Sequence, residues 1–274
     1  MPAISTNTAA NAAVRYLNIN SSQETSALSK LSSGSRITSA SDDAAGLAIS
    51  TRISSDVTTL QQAATNASQA TSILQTADGG ASNISDILAR MKSLASESAS
   101  GTTTDSSRAY INSEFSQLTK EIDSIASGTR YSGQSLLDGT SAFASGVSVL
   151  VGSSGSDNIT ITLSSLTSSS LGVSSLDVST QSGATSSLTA LDTAIDKVSA
   201  ARASIGAQES RFNFSSDSIS TQTQNLQSAN SAIKDVDIAA EQAALSSAQV
   251  KTQAAVSAEA AANQMPQYLL KLLG

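Results

Sequence analysis

The residues able to do chemistry are few, and their types narrow that chemistry at once. Two close pairs of carboxylates stand out, Asp42 with Asp43 and Asp235 with Asp237. Such pairs can hold a cation or exchange a proton, yet each falls at an expected helix start, where an acid caps free N–H groups and complements the helix dipole. Capping is the expected role. Gly152-Ser-Ser-Gly155 lacks the lysine and the helix-opening context of a phosphate loop and reads as a hairpin turn. Asn158-Ile-Thr160 and Asn213-Phe-Ser215 fit the short N-glycosylation sequon, a motif too brief to carry a modification by itself. Cysteine and histidine are absent. That removes the disulfide, the thiol nucleophile, the imidazole base and the usual zinc site. No nucleophile and base, metal cluster or cofactor motif can be assembled from what remains, so neither catalysis nor a cofactor is expected.

Charge and hydropathy exclude two further classes. The 274 residues carry 22 acidic against 15 basic side chains, a net −7, with no dense Lys/Arg stripe; nucleic-acid binding is not expected. No apolar run reaches the roughly 18 residues needed to span a bilayer, so membrane insertion is not expected either. The opening lacks a basic region followed by an apolar one, which points to export, if any, by a route without a cleavable signal. Aromatic residues make up only 3% and proline occurs only at Pro2 and Pro266. A compact core has little large material to bury, whereas long helices can run without interruption.

The periodicity places those helices. A weakly amphipathic helix is expected from about Ile4 to Leu31, with Ser41 as N-cap of a second, longer one. Along that second helix Ile53, Val57, Leu60, Ala64, Ala67, Thr71 and Leu74 alternate by four and three, and the series resumes at Ala77, Ala81, Ile84, Leu88, Met91 and Ala95. This is a coiled-coil seam with a phase slip beside Gly79 and Gly80, where a bend is expected. Asp105 is the expected cap of a third helix carrying Ile111, Phe115, Leu118, Ile122 and Ile125, stopped by Gly128. The period then changes to two: Val147, Val149, Val151 and Ile159, Ile161, Leu163 predict a β-hairpin, with loops to Ser187. Finally Leu191, Val198, Ile205, Phe212, Ile219, Leu226 and Ile233 recur every seven residues. They predict one helix of more than 40 residues packed in a coiled coil, over about 60 Å long. Its companion positions, Leu188 and Ile195 followed by Arg202, Glu209 and Ser216, turn polar. An Ala-rich helix from Asp235 ends in Gln267-Tyr-Leu-Leu-Lys-Leu-Leu273, apolar and without obvious cover. The expected fold is mainly α: an elongated antiparallel helical rod formed by the N- and C-terminal halves, with a small β-hairpin in the middle.

Three stretches resemble bacterial flagellin, the subunit of the flagellar filament. The first is Leu28-Ser-Lys-Leu-Ser-Ser-Gly-Ser-Arg-Ile-Thr-Ser-Ala-Ser-Asp-Asp-Ala-Ala-Gly-Leu-Ala-Ile49 with Arg52. The second is Gln208-Glu-Ser-Arg-Phe-Asn213, followed by Ala232-Ile-Lys-Asp-Val-Asp-Ile-Ala-Ala-Glu241. The third is Ala262-Asn-Gln-Met-Pro-Gln267. The resemblance implies an inner-core helix and spoke over 1–44, N-terminal helices of an outer coiled-coil domain over 45–140, and a hairpin and loops over 141–187. The long C-terminal helix of the outer domain then spans 188–234 and an inner-core helix 235–274, a short trunk-only form without large variable outer domains. It further implies an extracellular homopolymer for swimming motility, exported unfolded with a flagellar chaperone through the type III apparatus and folded at the tip beside cap and hook-associated proteins. Arg90, Leu94 and Glu114 match family positions contacted by a vertebrate innate-immune receptor. A hook-filament junction protein shares the terminal helices, and a secreted coiled-coil binding module shares the packing; both are the alternatives.

Overall fold

The computed structural model describes residues 6–273, with side chains for 6–265 and Gln267. Eleven elements are described: α1 (Thr8–Ser33), α2 (Ala44–Ala99), α3 (Asp105–Gly128), β1 (Arg130–Tyr131), β2 (Gln134–Ser135), α4 (Ala142–Ser145), β3 (Val147–Leu150), β4 (Asn158–Ile161), α5 (Ser168–Leu171), α6 (Gln181–Lys234) and α7 (Ile238–Leu273). The chain is mainly α, as its periodicity predicts. It divides into two compact units, one of residues 1–55 with 225–274 and one of residues 56–224.

Unit 56–224 is built on the facing stripes of three helices. Along α2 the main buried stripe is Leu60, Ala63, Ala67, Ala70, Leu74, Ala77, Ala81, Ile84, Leu88, Met91, Ala95 and Ser98, with Ser50, Gly80 and Leu94 buried outside it. The stripe alternates strictly by three and four, so there is no phase slip. The expected break came from placing Ala64 and Thr71 in the seam; their neighbours Ala63 and Ala70 occupy it, and α2 runs helical through Gly79 and Gly80. On α6 the buried set is Ala184, Ser187, Leu191, Ala194, Val198, Ala201, Ile205, Gln208, Phe212 and Ile219. The second stripe thus consists of small residues one position before the expected Leu188, Ile195 and Arg202. Small side chains at these positions let α6 approach α2 closely, and α3 buries Arg108, Ile111, Phe115, Ile122 and Ala126.

The remaining differences lie at caps and short elements. Thr104, not Asp105, caps α3 by accepting from Ser107 N–H at 3.2 Å, while Asp105 pairs with Arg108 in the first turn. The expected hairpin is β3–β4, antiparallel with Val147 opposite Ile161 and Leu150 opposite Asn158. A second, smaller hairpin, β1–β2, was not expected. Its turn places Ser132 at φ 49° and Gly133 at φ 82°, left-handed values that a Ser-Gly pair accommodates at a two-residue hairpin loop. The stretch expected to be loop up to Ser187 contains α5 and the first turns of α6. Thr180 caps α6, its hydroxyl accepting from Gly183 N–H at 3.1 Å. Leu136, Leu137, Phe143, Leu163, Leu166, Leu171, Val173 and Val178 are all buried, closing this unit's core.

Candidate assembly surface

The unit 1–55 with 225–274 consists chiefly of α1 packed against α7. The helices run antiparallel: Asn7 Nδ2 donates to Ala262 O at 2.7 Å, and Lys30 lies 3.9 Å from Glu241. Asn7 also caps α1, accepting from Ala10 N–H at 3.0 Å. What the pair buries is small: Ala27 from α1, and Leu245, Ala248, Ala255 and Ala262 from α7. Among these only Leu245 is large; Leu17 and Leu31 are half-buried, and many of the other larger apolar side chains face outward. Tyr16, Ile19 and Leu28 on α1 are 45–58% exposed, and Ile238, Val250, Val256 and Met265 on α7 are 51–66% exposed. A helix pair that encloses alanine and displays valine, isoleucine and leucine has its main apolar faces unspent, since each such side chain gains about 1.5–3 kcal/mol when fully covered. The apolar tail expected to lack cover, Tyr268–Leu273, continues α7 as helix, but its side chains lie outside the described residues.

The connectors flanking this pair are tied by polar contacts. Ser35 and Asp235 form an antiparallel bridge, in which Arg36 N–H donates to Lys234 O at 2.6 Å and Val236 N–H to Gly34 O at 3.1 Å. Arg36 sends Nε and Nη2 to Ile233 O at 3.2 and 2.7 Å. That guanidinium satisfies a carbonyl at the C-terminal end of α6 and complements its dipole. The two acidic pairs are caps, divided differently from expectation. Asp43, not Ser41, starts α2, its Oδ1 accepting from Gly46 N–H at 2.8 Å. Asp42 Oδ2 accepts from Thr38 N–H, Thr38 Oγ1 and Ser39 N–H, each at 2.9 Å. These hydrogen bonds, the backbone ones first, hold the Asp42 carboxyl below its ordinary value. Asp237 caps α7, its Oδ1 accepting from Ala239 and Ala240 N–H, while Asp235 accepts from the Ser231 hydroxyl.

In unit 56–224, polar pairs link the helices. Lys92 pairs with Asp192, Arg202 with Asp78 at 2.9 Å, and Gln75 Nε2 donates to Glu209 Oε1 at 3.0 Å. The Asp78 carboxylate holds the Arg202 guanidinium above its ordinary value. Arg90 and Glu114 form an exposed ion pair at 2.7 Å between α2 and α3; Leu94 is only 2% exposed, buried beside the seam residue Ala95. Of the seven-residue line on α6, Leu191, Val198, Ile205, Phe212 and Ile219 are buried, and Leu226 and Ile233 are half-buried. Sequence reasoning missed Gln208. Its side-chain amide acts as a strand partner, accepting from Thr162 N–H at 2.9 Å and donating to Thr162 O at 3.0 Å, and so holds the segment after β4 onto α6. A glutamine at a seam position on an apolar heptad was the available signal.

No group of three or more acidic residues able to hold a metal ion occurs among the described residues, and no described helix is long and apolar enough to cross a membrane. The comparisons agree with this architecture. The bacterial flagellin N-terminal helical region matches residues 4–142, and the bacterial flagellin C-terminal helical region matches residues 188–273. The flagellin of Halalkalibacterium halodurans is 36% identical over 261 residues, covering 94% of this chain and 95% of that protein. The flagellin of Listeria monocytogenes is 35% identical over 272 residues, covering 94% of each. A crystal structure of Bacillus cereus flagellin aligns with a TM-score of 0.52 at 30% identity, covering 61% of this chain and 94% of that one. With both helical regions matched in order and relatives alike over nearly their whole length, the chain belongs to the bacterial flagellin family.

Proposed function

We propose that this chain, a structural subunit of the extracellular flagellar filament, propagates that filament head to tail, the outward apolar residues of α1 and α7 being covered by neighbouring copies. The observation that carries the reading is the displayed apolar surface of the helix pair: four alanines and Leu245 buried, and Ile19, Leu28, Val250 and Val256 outside. Covering those residues completes a core that one copy cannot complete alone. The contact is heterologous, because a repeated rotation that does not close generates a helix rather than a dimer. The division into an inner layer, 1–44 with 235–274, and an outer layer, 45–234, is supported by the separation of the helix pair from unit 56–224.

The finer parts of the reading follow the family's pattern. The subunit is exported unfolded through the flagellar type III route with a chaperone and folds at the tip beside cap and hook-associated proteins. The absence of cysteine supports this to the extent that no disulfide can form before threading. Recognition by the vertebrate innate-immune receptor is supported by the exposed Arg90–Glu114 pair, but not by Leu94, which is buried. The test of assembly is electron microscopy of purified chain after addition of short filament seeds. Long helical filaments are expected; folded monomers that never extend the seeds would remove the reading and favour a junction protein.

A further inference from the structure

The chain contains two Asp-Gly pairs, Asp78-Gly79 and Asp138-Gly139. An aspartate followed by glycine is open to a backbone reaction of its own, because without a Cβ the next amide nitrogen can approach the side-chain carboxyl carbon. The fold treats the two pairs differently. Asp78-Gly79 lies inside α2, where the helix holds the backbone, and the Asp78 carboxylate pairs with Arg202 at 2.9 Å. Asp138-Gly139 lies between β2 and α4, outside any helix or strand. Asp138 is half-buried and Gly139 exposed, and the Gly139 N–H has no hydrogen-bond partner among the described residues. Gly139 stands at φ 79°, and a Cβ there would lie 2.8 Å from Ser165 Cβ. The fold therefore requires the unhindered residue at this place. The Asp138 carboxylate is held over the turn by Thr140: Oδ1 accepts from Thr140 N–H and Oδ2 from the Thr140 hydroxyl, each at 2.9 Å. These bonds, the backbone one first, hold its carboxyl below the ordinary value and so disfavour the neutral acid from which water is lost.

We propose that Asp138-Gly139 is a site of spontaneous isoaspartate formation in the folded chain, restrained by Thr140, whereas Asp78-Gly79 is protected by its helix. The Gly139 nitrogen bonds to Asp138 Cγ, and the carboxyl hydroxyl leaves with the amide proton as water, closing a succinimide. Solvent water then opens the ring. Cleavage of the Cγ–N bond restores the original link. Cleavage between the Asp138 main-chain carbonyl carbon and the nitrogen leaves Gly139 joined through Cγ, with one more methylene in the backbone and no net change of mass. That methylene enters directly after Leu137, which is buried and whose carbonyl accepts from Leu166 N–H at 2.8 Å, so Gly139 is displaced from its close seat against Ser165. The reaction needs no assembly and is read on the monomer. The full chain, kept folded at physiological pH and temperature for weeks, is digested, and isoaspartate is located by isoaspartyl methyltransferase labelling and electron-transfer fragmentation. It should accumulate at residue 138 and stay absent from residue 78, while the same chain in urea should form it at both. Thr140→Val removes the hydroxyl bond and keeps the backbone one; it should raise the rate at residue 138 about twofold or more, since a bond favouring the ionised form is lost. Absence of isoaspartate from residue 138 of the folded chain, or equal conversion at residue 78, would overturn the site. An unchanged or slower rate in Thr140→Val would overturn the restraint.

Discussion

Gly79 and Gly80 are adjacent in one helix and have opposite roles. A Cβ on Gly79 meets nothing within 4 Å, whereas one on Gly80 would lie 2.4 Å from Thr129 Oγ1 and 2.9 Å from Leu137 Cδ1. Gly80 is therefore the point at which the chain after α3 closes onto α2. Gly79→Ala should raise stability by about 0.5–1 kcal/mol through helix propensity. Gly80→Ala should lower it by about 1–3 kcal/mol through overpacking, outweighing the same propensity gain. Urea unfolding of both variants checks this, and equal effects would count against the close approach. Asp42 makes a second prediction at this scale. Its carboxyl is held below its ordinary value of 3.8 by hydrogen bonds from Ser39 and Thr38, so it binds a proton less readily folded than unfolded. Its contribution is present above about pH 3.8 and is lost as pH falls through the lower folded value. In an acid titration of the melting temperature, Asp42→Asn should flatten the part of the curve below about pH 4.

At the scale of the element, helix register is decided by which of two adjacent small residues enters the seam. Ala63 is 2% exposed, while Ala64 is half-buried. Ala63→Asp places a carboxylate in the buried seam of α2, where an unpaired charge is costly. It should destabilise unit 56–224 severely, by about 3 kcal/mol or more, whereas Ala64→Asp should cost under about 1 kcal/mol. Thermal unfolding followed by circular dichroism separates them, and the reverse order would restore the seam with a slip. The ion pairs Lys92–Asp192 and Asp78–Arg202 sit beside this seam with opposite polarity. Each contributes little energy, as exposed pairs do, but the reversal of sign disfavours a shifted pairing of α2 with α6.

At the scale of the whole molecule, stability and assembly reside in different side chains. The α1–α7 pair is held by alanines, Leu245 and a few polar contacts, so changing its outward residues should leave the subunit folded and stop it polymerising. Replacing both Val250 and Val256, 66% and 51% exposed, with serine should leave the melting curve of unit 56–224 within about 0.5 kcal/mol of the parent. Seed extension, followed by light scattering, should slow at least tenfold, corresponding to about 1.4 kcal/mol of lost burial. Unimpaired growth would mean that those faces of α7 remain in solvent within the filament.

Residue order alone determined the helices, because a period of seven or of two depends only on the spacing of apolar side chains along the chain. It also determined the hairpin of Val147 and Ile161 and excluded thiol and imidazole chemistry, since the absent cysteine and histidine cannot be supplied by folding. Tertiary structure decided which alanine of a pair is inside, because Ala63 and Ala64 have the same hydropathy and only what packs against that face of α2 distinguishes them. It decided that Gln208 faces a backbone amide, that Gly80 rather than Gly79 is indispensable, and that Asp43, Thr104 and Asp237 are the caps. Each of these depends on a contact with a residue distant in sequence or on a turn set by the surrounding packing, and the spacing of one segment carries no information about its distant partner.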